Sequence, residues 1–293
     1  MKRYIVALTL PLLVLLVATV TACVLGYLMA WGLDDPSALR KIIIRITQLF
    51  LLLSIFPVTA YLKLTKEDLG FTSRPKFLKQ LPLGFGLGLV TLSPVLISEY
   101  LLGISVFDEA QPWTFSLAIK KTTLSLLLAL LIAVVEELVF RGMLLASLKK
   151  VLPNIAAILI CSSYFAALHF LDSNAPIAEH EFTLLSAFGL LAKAVGNVFN
   201  PQNIPAFFSL LAVGIFLAVL RTEVKASLGL CIGCHAGWAW LIKMNGSVFN
   251  ANYGSEYVYL ISSINNVIGH LATGWLGFAI ICYFVYKKVP IKT

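Results

Sequence analysis

Charged residues are scarce in this sequence of 293 residues, since Asp, Glu, Lys and Arg together make up 12% of it. A soluble globular domain carries about twice that fraction, because polar groups must cover its surface. Apolar residues make up 59%, and the mean hydropathy is +0.92. These values exclude an ordinary soluble protein. They predict a polytopic membrane protein in which residues 1–293 form a single integral membrane domain.

The sequence also lacks the short segments of alternating polarity that are typical of a transmembrane β-barrel. Its apolar stretches instead have the length of membrane-spanning helices. They predict an all-α helix bundle with about eight spans, at 4–31, 42–62, 81–103, 119–146, 154–171, 204–220, 226–243 and 259–286. A shorter apolar stretch at 183–198 is interpreted as an interfacial or re-entrant piece.

Acidic residues are fewer than basic ones, 14 against 22, and the two kinds dominate alternate connections between the predicted spans. The positive-inside rule therefore predicts cytoplasmic termini and a multi-pass protein of the plasma (inner) membrane. The basic connections carry Lys2, Arg3, Lys63, Lys66, Arg74, Lys76, Lys79, Lys149, Lys150, Arg221, Lys225, Lys287, Lys288 and Lys292, and the acidic ones carry Asp34, Asp35, Asp108, Glu109, Asp172, Glu179 and Glu181. Membrane lipid headgroups explain the basic excess, and no nucleic acid partner is expected.

No cysteine lies in a polar segment, so a secreted disulfide framework is excluded. Cys23 follows a sequence that could pass as a lipoprotein cleavage site. The chain stays apolar beyond it to Trp31, which favours an uncleaved first span. The sequence Cys231-Ile232-Gly233-Cys234-His235 has the haem-attachment pattern but lies within an apolar stretch, so its cysteines are interpreted as packing residues.

The fourth predicted span contains two adjacent carboxylates and an arginine, at Glu136, Glu137 and Arg141. Ionisable groups inside a membrane are costly and therefore point to function unless they are paired. Glu137 and Arg141 are four residues apart, the spacing of an ion pair on one helix face. Glu136 points about 100° away and has no partner on its own helix. Such a free carboxylate is suited to act as a general base.

Two later spans carry histidines, His169 in the fifth and His235 in the seventh. At a rise of 1.5 Å per residue, Glu136, His169 and His235 each lie about 15 to 24 Å from a polar or proline boundary of their span. All three are therefore expected near the middle of the bilayer. Their similar depth predicts one shared site.

The pattern Glu-Glu-x-x-x-Arg, then Phe-x-x-x-His ending at His169, then the intramembrane His235 resembles the CAAX protease and bacteriocin-processing family of intramembrane endopeptidases. The resemblance covers a core at 119–243. It implies a helical fold of eight spans with a cavity open to the membrane. It also implies that Glu136 activates the attacking water beside Glu137 and Arg141, and that His169 and His235 orient the water and stabilise the oxyanion.

One position departs from the family pattern. The family usually has Asn one turn after its last His, where this sequence has Ala239. Loss of an oxyanion donor costs on the order of 10²-fold or more in rate. Asn265 and Asn266, in the predicted last span, could substitute for it; otherwise the activity is weak or lost.

A metal is a second open question, because members of this family are often called metalloproteases. Glu136, His169 and His235 could supply three zinc ligands and leave one position open. The motif, however, is not the His-Glu-x-x-His pattern that builds a zinc site on one helix. A water activated by glutamate explains the same residues without a metal, and we favour that reading; no cofactor is certain.

The leading hypothesis is thus an intramembrane endopeptidase of the glutamate type. Its substrate would be a peptide or a lipidated or hydrophobic protein that is cleaved near the membrane. Two alternatives stay open at this point. The first is a catalytically decayed family member that acts as an immunity or scaffold protein, and the second is a proton-coupled transporter, since intramembrane Glu, Arg and His also mark ion pathways.

Overall fold

The computed structural model describes residues 2–33, 38–172, 182–262 and 264–288. Several charges used to predict the topology lie outside the described residues, namely Asp34, Asp35, Glu179, Glu181 and Lys292. The protein is 78% helical. The prediction of an all-α fold is therefore confirmed, apart from one small two-stranded ribbon.

The helices follow the apolar stretches closely, because such stretches must satisfy their backbone hydrogen bonds internally. They are α1 (Lys2–Gly32), α2 (Leu39–Tyr61), α3 (Arg74–Leu101), α4 (Phe115–Glu137), α5 (Leu145–Lys149), α6 (Asn154–Leu168), α7 (Leu184–Val198), α8 (Ile204–Glu223), α9 (Leu228–Val248) and α10 (His270–Lys288). A π-helix, Leu138–Leu144, joins α4 to α5 without a break. Strands β1 (Ser105–Phe107) and β2 (Phe249–Ala251) pair antiparallel and tie the end of α3 to the end of α9.

Five helical stretches are long and apolar enough to cross a membrane: Thr9–Gly32, Leu39–Tyr61, Arg74–Leu101, Phe115–Lys149 and Pro201–Glu223. The protein is therefore an integral membrane protein by length and composition. The total of eight spans and the cytoplasmic termini stay predictions. The helix at 184–198 is 15 residues long and is capped by Thr183, so the short apolar stretch does form a helix.

The last span was predicted at 259–286, and the predicted start of this span was wrong. A 3-10 helix covers Val258–Leu260, and α10 begins only at His270. Between them, Asn265 and Asn266 adopt positive φ angles of 57° and 52°. Asparagine tolerates this left-handed conformation, and a helix cannot continue through it.

Helices α3 and α9 pack so closely that their glycines meet the opposite backbone. A Cβ added to Gly84 would lie 2.2 Å from the carbonyl oxygen of Leu230, and one added to Gly233 would lie 2.2 Å from that of Leu81. Gly88 makes a similar approach to α9. Small residues of this kind allow membrane helices to associate through van der Waals contact. The packing fixes the position of α9, and with it that of His235.

Thr91 on α3 adds polar contacts to this packing. Its hydroxyl accepts a hydrogen bond from Trp238 Nε1 on α9 at 2.8 Å, and its carbonyl accepts one from Trp275 Nε1 on α10 at 2.7 Å. Indole N–H groups in an apolar setting need such partners. The three helices are thereby held in one arrangement.

We predict that Gly84→Ala lowers the thermal stability of the purified protein, because the added methyl group meets the α9 backbone, which cannot rotate away. Overpacking of this kind costs about 1–3 kcal/mol. The measurement is the midpoint of thermal unfolding in detergent. Gly86→Ala on the same helix is the matched control, since a Cβ there has no neighbour within 4 Å. Equal midpoints for the two variants would contradict the proposed role of the packing.

Candidate active site

The two adjacent glutamates lie at the point where the fourth long helix changes its geometry. Glu136 and Glu137 end α4, and the π-helix Leu138–Leu144 follows immediately and contains Arg141. Short π-helical turns inside α-helices are frequent at functional sites. No pattern in the sequence predicted this change of helical pitch.

Glu137 and Arg141 form the predicted ion pair, with 3.0 Å between Glu137 Oε1 and Arg141 Nη1. Glu137 is 0% exposed and Arg141 is 1% exposed. Arg141 Nη2 also donates to the carbonyl oxygen of Gly214 on α8 at 3.3 Å. Since both charges are buried, each is compensated by the opposite charge of the other.

His235 reaches the same carboxylate from α9. Its Nδ1 lies 2.9 Å from Glu137 Oε1, the oxygen that also accepts from Arg141. A carboxylate accepts hydrogen bonds, so His235 carries a hydrogen on Nδ1 and turns Nε2 away from Glu137. Glu137 thus fixes the orientation of the ring.

His169 is held by its own helix. It follows the last residue of α6, and its Nδ1 lies 2.7 Å from the carbonyl oxygen of Phe165. A backbone carbonyl only accepts, so His169 also carries its hydrogen on Nδ1. The Nε2 atom of this ring is left for another partner.

Glu136 is the point at which both histidines converge. Its Oε2 lies 3.8 Å from His169 Nε2 and 3.9 Å from His235 Nε2. These separations are too long for direct hydrogen bonds, and Oε2 is buried without a partner among the described residues. The side chain as a whole is 26% exposed, in contrast to Glu137. The five residues predicted from the sequence therefore meet in one cluster, in which Glu136 is the more exposed of the two carboxylates.

Phe165 is a central member of this cluster that sequence reasoning treated only as part of a motif. Its ring centroid lies 4.6 Å from the ring of His169, 6.1 Å from that of His235 and 4.3 Å from Arg141 Cζ. A guanidinium over an aromatic face gains a cation–π contact. The ring thus packs against three of the polar side chains and is itself 1% exposed.

The asparagines considered as substitutes for the missing donor do not lie in a helix facing this cluster. Asn266 accepts a hydrogen bond from Tyr253 at 3.1 Å, and both asparagines belong to the turns that precede α10. Ala239 lies on α9 one turn after His235, partly buried. Its methyl group has no hydrogen to donate.

The chemistry of the donors would suit zinc, but their placement does not. Zinc bonds of about 2.0–2.1 Å place tetrahedral donors about 3.4 Å apart. The distances from Glu136 Oε2 to the two histidine Nε2 atoms, 3.8 and 3.9 Å, are wider than this. Within the described ranges, no group of three or more His, Cys, Asp or Glu side chains could hold a metal ion. The term metalloprotease is therefore unsupported.

The fold is a helical membrane bundle, and it encloses a cluster of carboxylate, guanidinium and imidazole groups. The protein is therefore a membrane protein with a polar site among its helices. Residues 118–241 match the family that is described as type II CAAX prenyl endopeptidase Rce1-like. The chain therefore contains an Rce1-like domain, and the resemblance to the CAAX protease and bacteriocin-processing family is confirmed. No curated protein and no solved structure matches the chain.

We predict that Glu137→Ala strongly destabilises the protein, because it leaves Arg141 buried without its counter-ion. Breaking a buried ion pair in this way costs about 3–5 kcal/mol. The measurement is thermal unfolding in detergent, together with the yield of folded protein. The control is Glu256→Ala, which removes an exposed carboxylate. A Glu137→Ala protein as stable as that control would refute the structural role given to the pair.

Proposed function

We propose that this protein is an intramembrane endopeptidase in which Glu136 activates a water molecule for attack on a peptide bond. The single observation that carries the proposal is the approach of two imidazole Nε2 atoms, from separate helices, to the unpartnered Oε2 of Glu136. A water molecule needs two to four polar partners, and Glu136 Oε2 with the two imidazole nitrogens would supply three. The Rce1-like domain supports a membrane peptidase of this family.

The two glutamates would have different roles because their environments differ. Glu136 is partly exposed and has no counter-ion on its helix, so it is free to take a proton from water. Glu137 is buried between Arg141 and His235, and it would position the site rather than react. Its carboxylate holds His235 through Nδ1, so that Nε2 of the same ring lies toward Glu136.

The reaction balances with these groups. The water oxygen forms a bond to the carbonyl carbon while Glu136 takes one of the water's protons. His169 Nε2 accepts a hydrogen bond from the water, and a doubly protonated His235 donates from Nε2 to the oxyanion. Glu136 then passes its proton to the leaving nitrogen as the C–N bond breaks. The products are one new carboxyl group and one new amine.

A series of apolar cavities along two membrane-spanning helices supports a hydrophobic or lipidated substrate. They have volumes of about 160, 40 and 550 Å³ and lie along α1 and α2. The first two share Leu15, Leu51 and Leu168, and the last two share Leu10 and Val14. Leu168 directly precedes His169. A hydrocarbon chain that entered from the membrane along α1 and α2 would reach Leu168 at the end of α6.

The alternatives find no support in the comparisons with known proteins. Neither an immunity or scaffold role nor proton-coupled transport is indicated by the family match. The proposal also includes the location and the partners of the protein. It lies in the plasma (inner) membrane, contacts membrane lipid, and cleaves a peptide or a lipidated or hydrophobic protein.

Glu136→Gln is predicted to lower the rate of cleavage by about 10²- to 10⁴-fold, because the amide cannot take a proton from water. The measurement is hydrolysis of a fluorescence-quenched peptide that ends in a prenylated CAAX sequence, with the protein in liposomes. Thermal unfolding should change little, since the new side chain has the same shape. Glu109→Gln, which alters an exposed carboxylate, is the control. Undiminished cleavage by Glu136→Gln would refute the mechanism.

Ala239→Asn is predicted to raise kcat on the same peptide by about tenfold or more, because it adds an N–H donor one turn from His235. Ala239→Leu, whose side chain branches at the same carbon as that of asparagine but has no donor, separates hydrogen bonding from packing. If neither variant cleaves faster than the natural protein, the oxyanion is stabilised without a group at this position.

A further inference from the structure

A second cavity lies near the active site and differs from the apolar series in its chemistry. It has a volume of about 320 Å³ and lies between the end of α5, the start of the loop after α2 and the end of α8. Six of its eight lining residues are charged: Glu67, Asp68, Arg141, Lys149, Lys150 and Arg221. Four of these are cations, so the cavity is suited to a negative group.

Part of this charge is already neutralised within the protein. Arg141 is paired with Glu137. Lys150 Nζ lies 3.5 Å from Asp68 Oδ2. The backbone N–H of Thr65 and the charge of Lys150 lower the pKa of Asp68, which therefore remains ionised. Glu67 is then the remaining carboxylate of the lining beside Arg221 and Lys149, while Glu223, whose charge also acts on Lys149, is paired with Lys287. The lining keeps about one positive charge in excess.

Arg221 is held in the wall of the cavity with part of its hydrogen-bonding capacity unused. It is 9% exposed, and its Nη2 donates to the carbonyl oxygen of Asp68 at 2.7 Å. Its Nε, like that of Arg141, has no partner among the described residues. A buried donor without a partner costs free energy, so such groups call for an explanation.

The loop between α2 and α3 packs closely against the side chain of Arg221. Gly70 has a φ angle of +91°, and a Cβ at that position would lie 2.3 Å from Arg221 Nε. Only glycine allows this backbone conformation and this close approach together. Lys149, at the opposite wall, is exposed and forms no hydrogen bond with any residue in the described ranges. The Arg221 guanidinium is therefore held in place by the loop, whereas the Lys149 ammonium group is available to bind a ligand.

We propose that this cavity binds a phosphate group with a single negative charge, between Arg221 and Lys149. Guanidinium groups pair well with the several oxygens of phosphate, and an ammonium group adds a point charge. One negative charge matches the excess of the lining. The phosphodiester of a lipid headgroup and free inorganic phosphate share this chemistry, and the position at the end of a spanning helix is the level of the headgroups.

The test uses the purified full-length protein in a neutral detergent at fixed ionic strength. Its thermal unfolding is followed with added phosphatidylglycerol, phosphatidylcholine, inorganic phosphate or acetate, and native mass spectrometry counts the bound lipid. The variants are Lys149→Ala and the charge-conserving Lys149→Arg. The control is Lys76→Ala, which removes an exposed lysine at the start of α3, outside the cavity.

We expect phosphatidylglycerol or phosphate to stabilise the natural protein. Lys149→Ala should weaken that effect about fivefold or more in midpoint concentration, while Lys149→Arg retains it, because one charge-assisted contact is lost only in the first variant. Stabilisation by phosphatidylglycerol alone assigns the site to a lipid headgroup, and stabilisation by inorganic phosphate assigns it to the free ion. The proposal fails if neither probe binds, if acetate acts as well as phosphate, or if Lys76→Ala weakens binding as much as Lys149→Ala. None of these readings depends on proteolytic activity.

Discussion

The buried pair of Glu137 and Arg141 is the constraint on which the rest of the site depends. Two opposite charges with almost no exposure can persist only if each keeps its partner, since a single buried charge is costly. Glu137 shares one oxygen between Arg141 and His235, and so joins α4 to α9. Arg141 in turn bonds the backbone of α8. A pair on one helix thereby fixes the relative position of three helices.

The close packing of α3 and α9 is the second constraint, and it acts by shape rather than by charge. His235 lies between Gly233 and Gly237, which both contact the backbone of α3. A shift of α9 would therefore move the imidazole that Glu137 holds. The apolar setting strengthens both effects, because polar interactions are stronger where water is excluded. The glycine contacts thus determine the position of α9, and the Glu137 carboxylate determines the orientation of the His235 ring.

Two kinds of cavity lie beside the π-helix that follows Glu137. Apolar cavities along α1 and α2 approach the end of α6, next to His169. A cavity lined mainly by charged residues reaches Arg141 from the end of α5. The proposed reaction between water and a membrane-embedded chain would need access of both kinds.

The sequence by itself determined the all-α class, the approximate helices and the five polar residues of the cluster, because apolar length and misplaced charges are local properties of the chain. It did not determine the π-helix after Glu137, the late start of α10 or the packing of Phe165 against His169, since each depends on contacts between distant segments. Spacing along one helix could predict the Glu137–Arg141 pair. Only the tertiary structure decided that Glu136 faces two imidazoles, because the relative rotation of three helices is set by their mutual packing and not by any one of them.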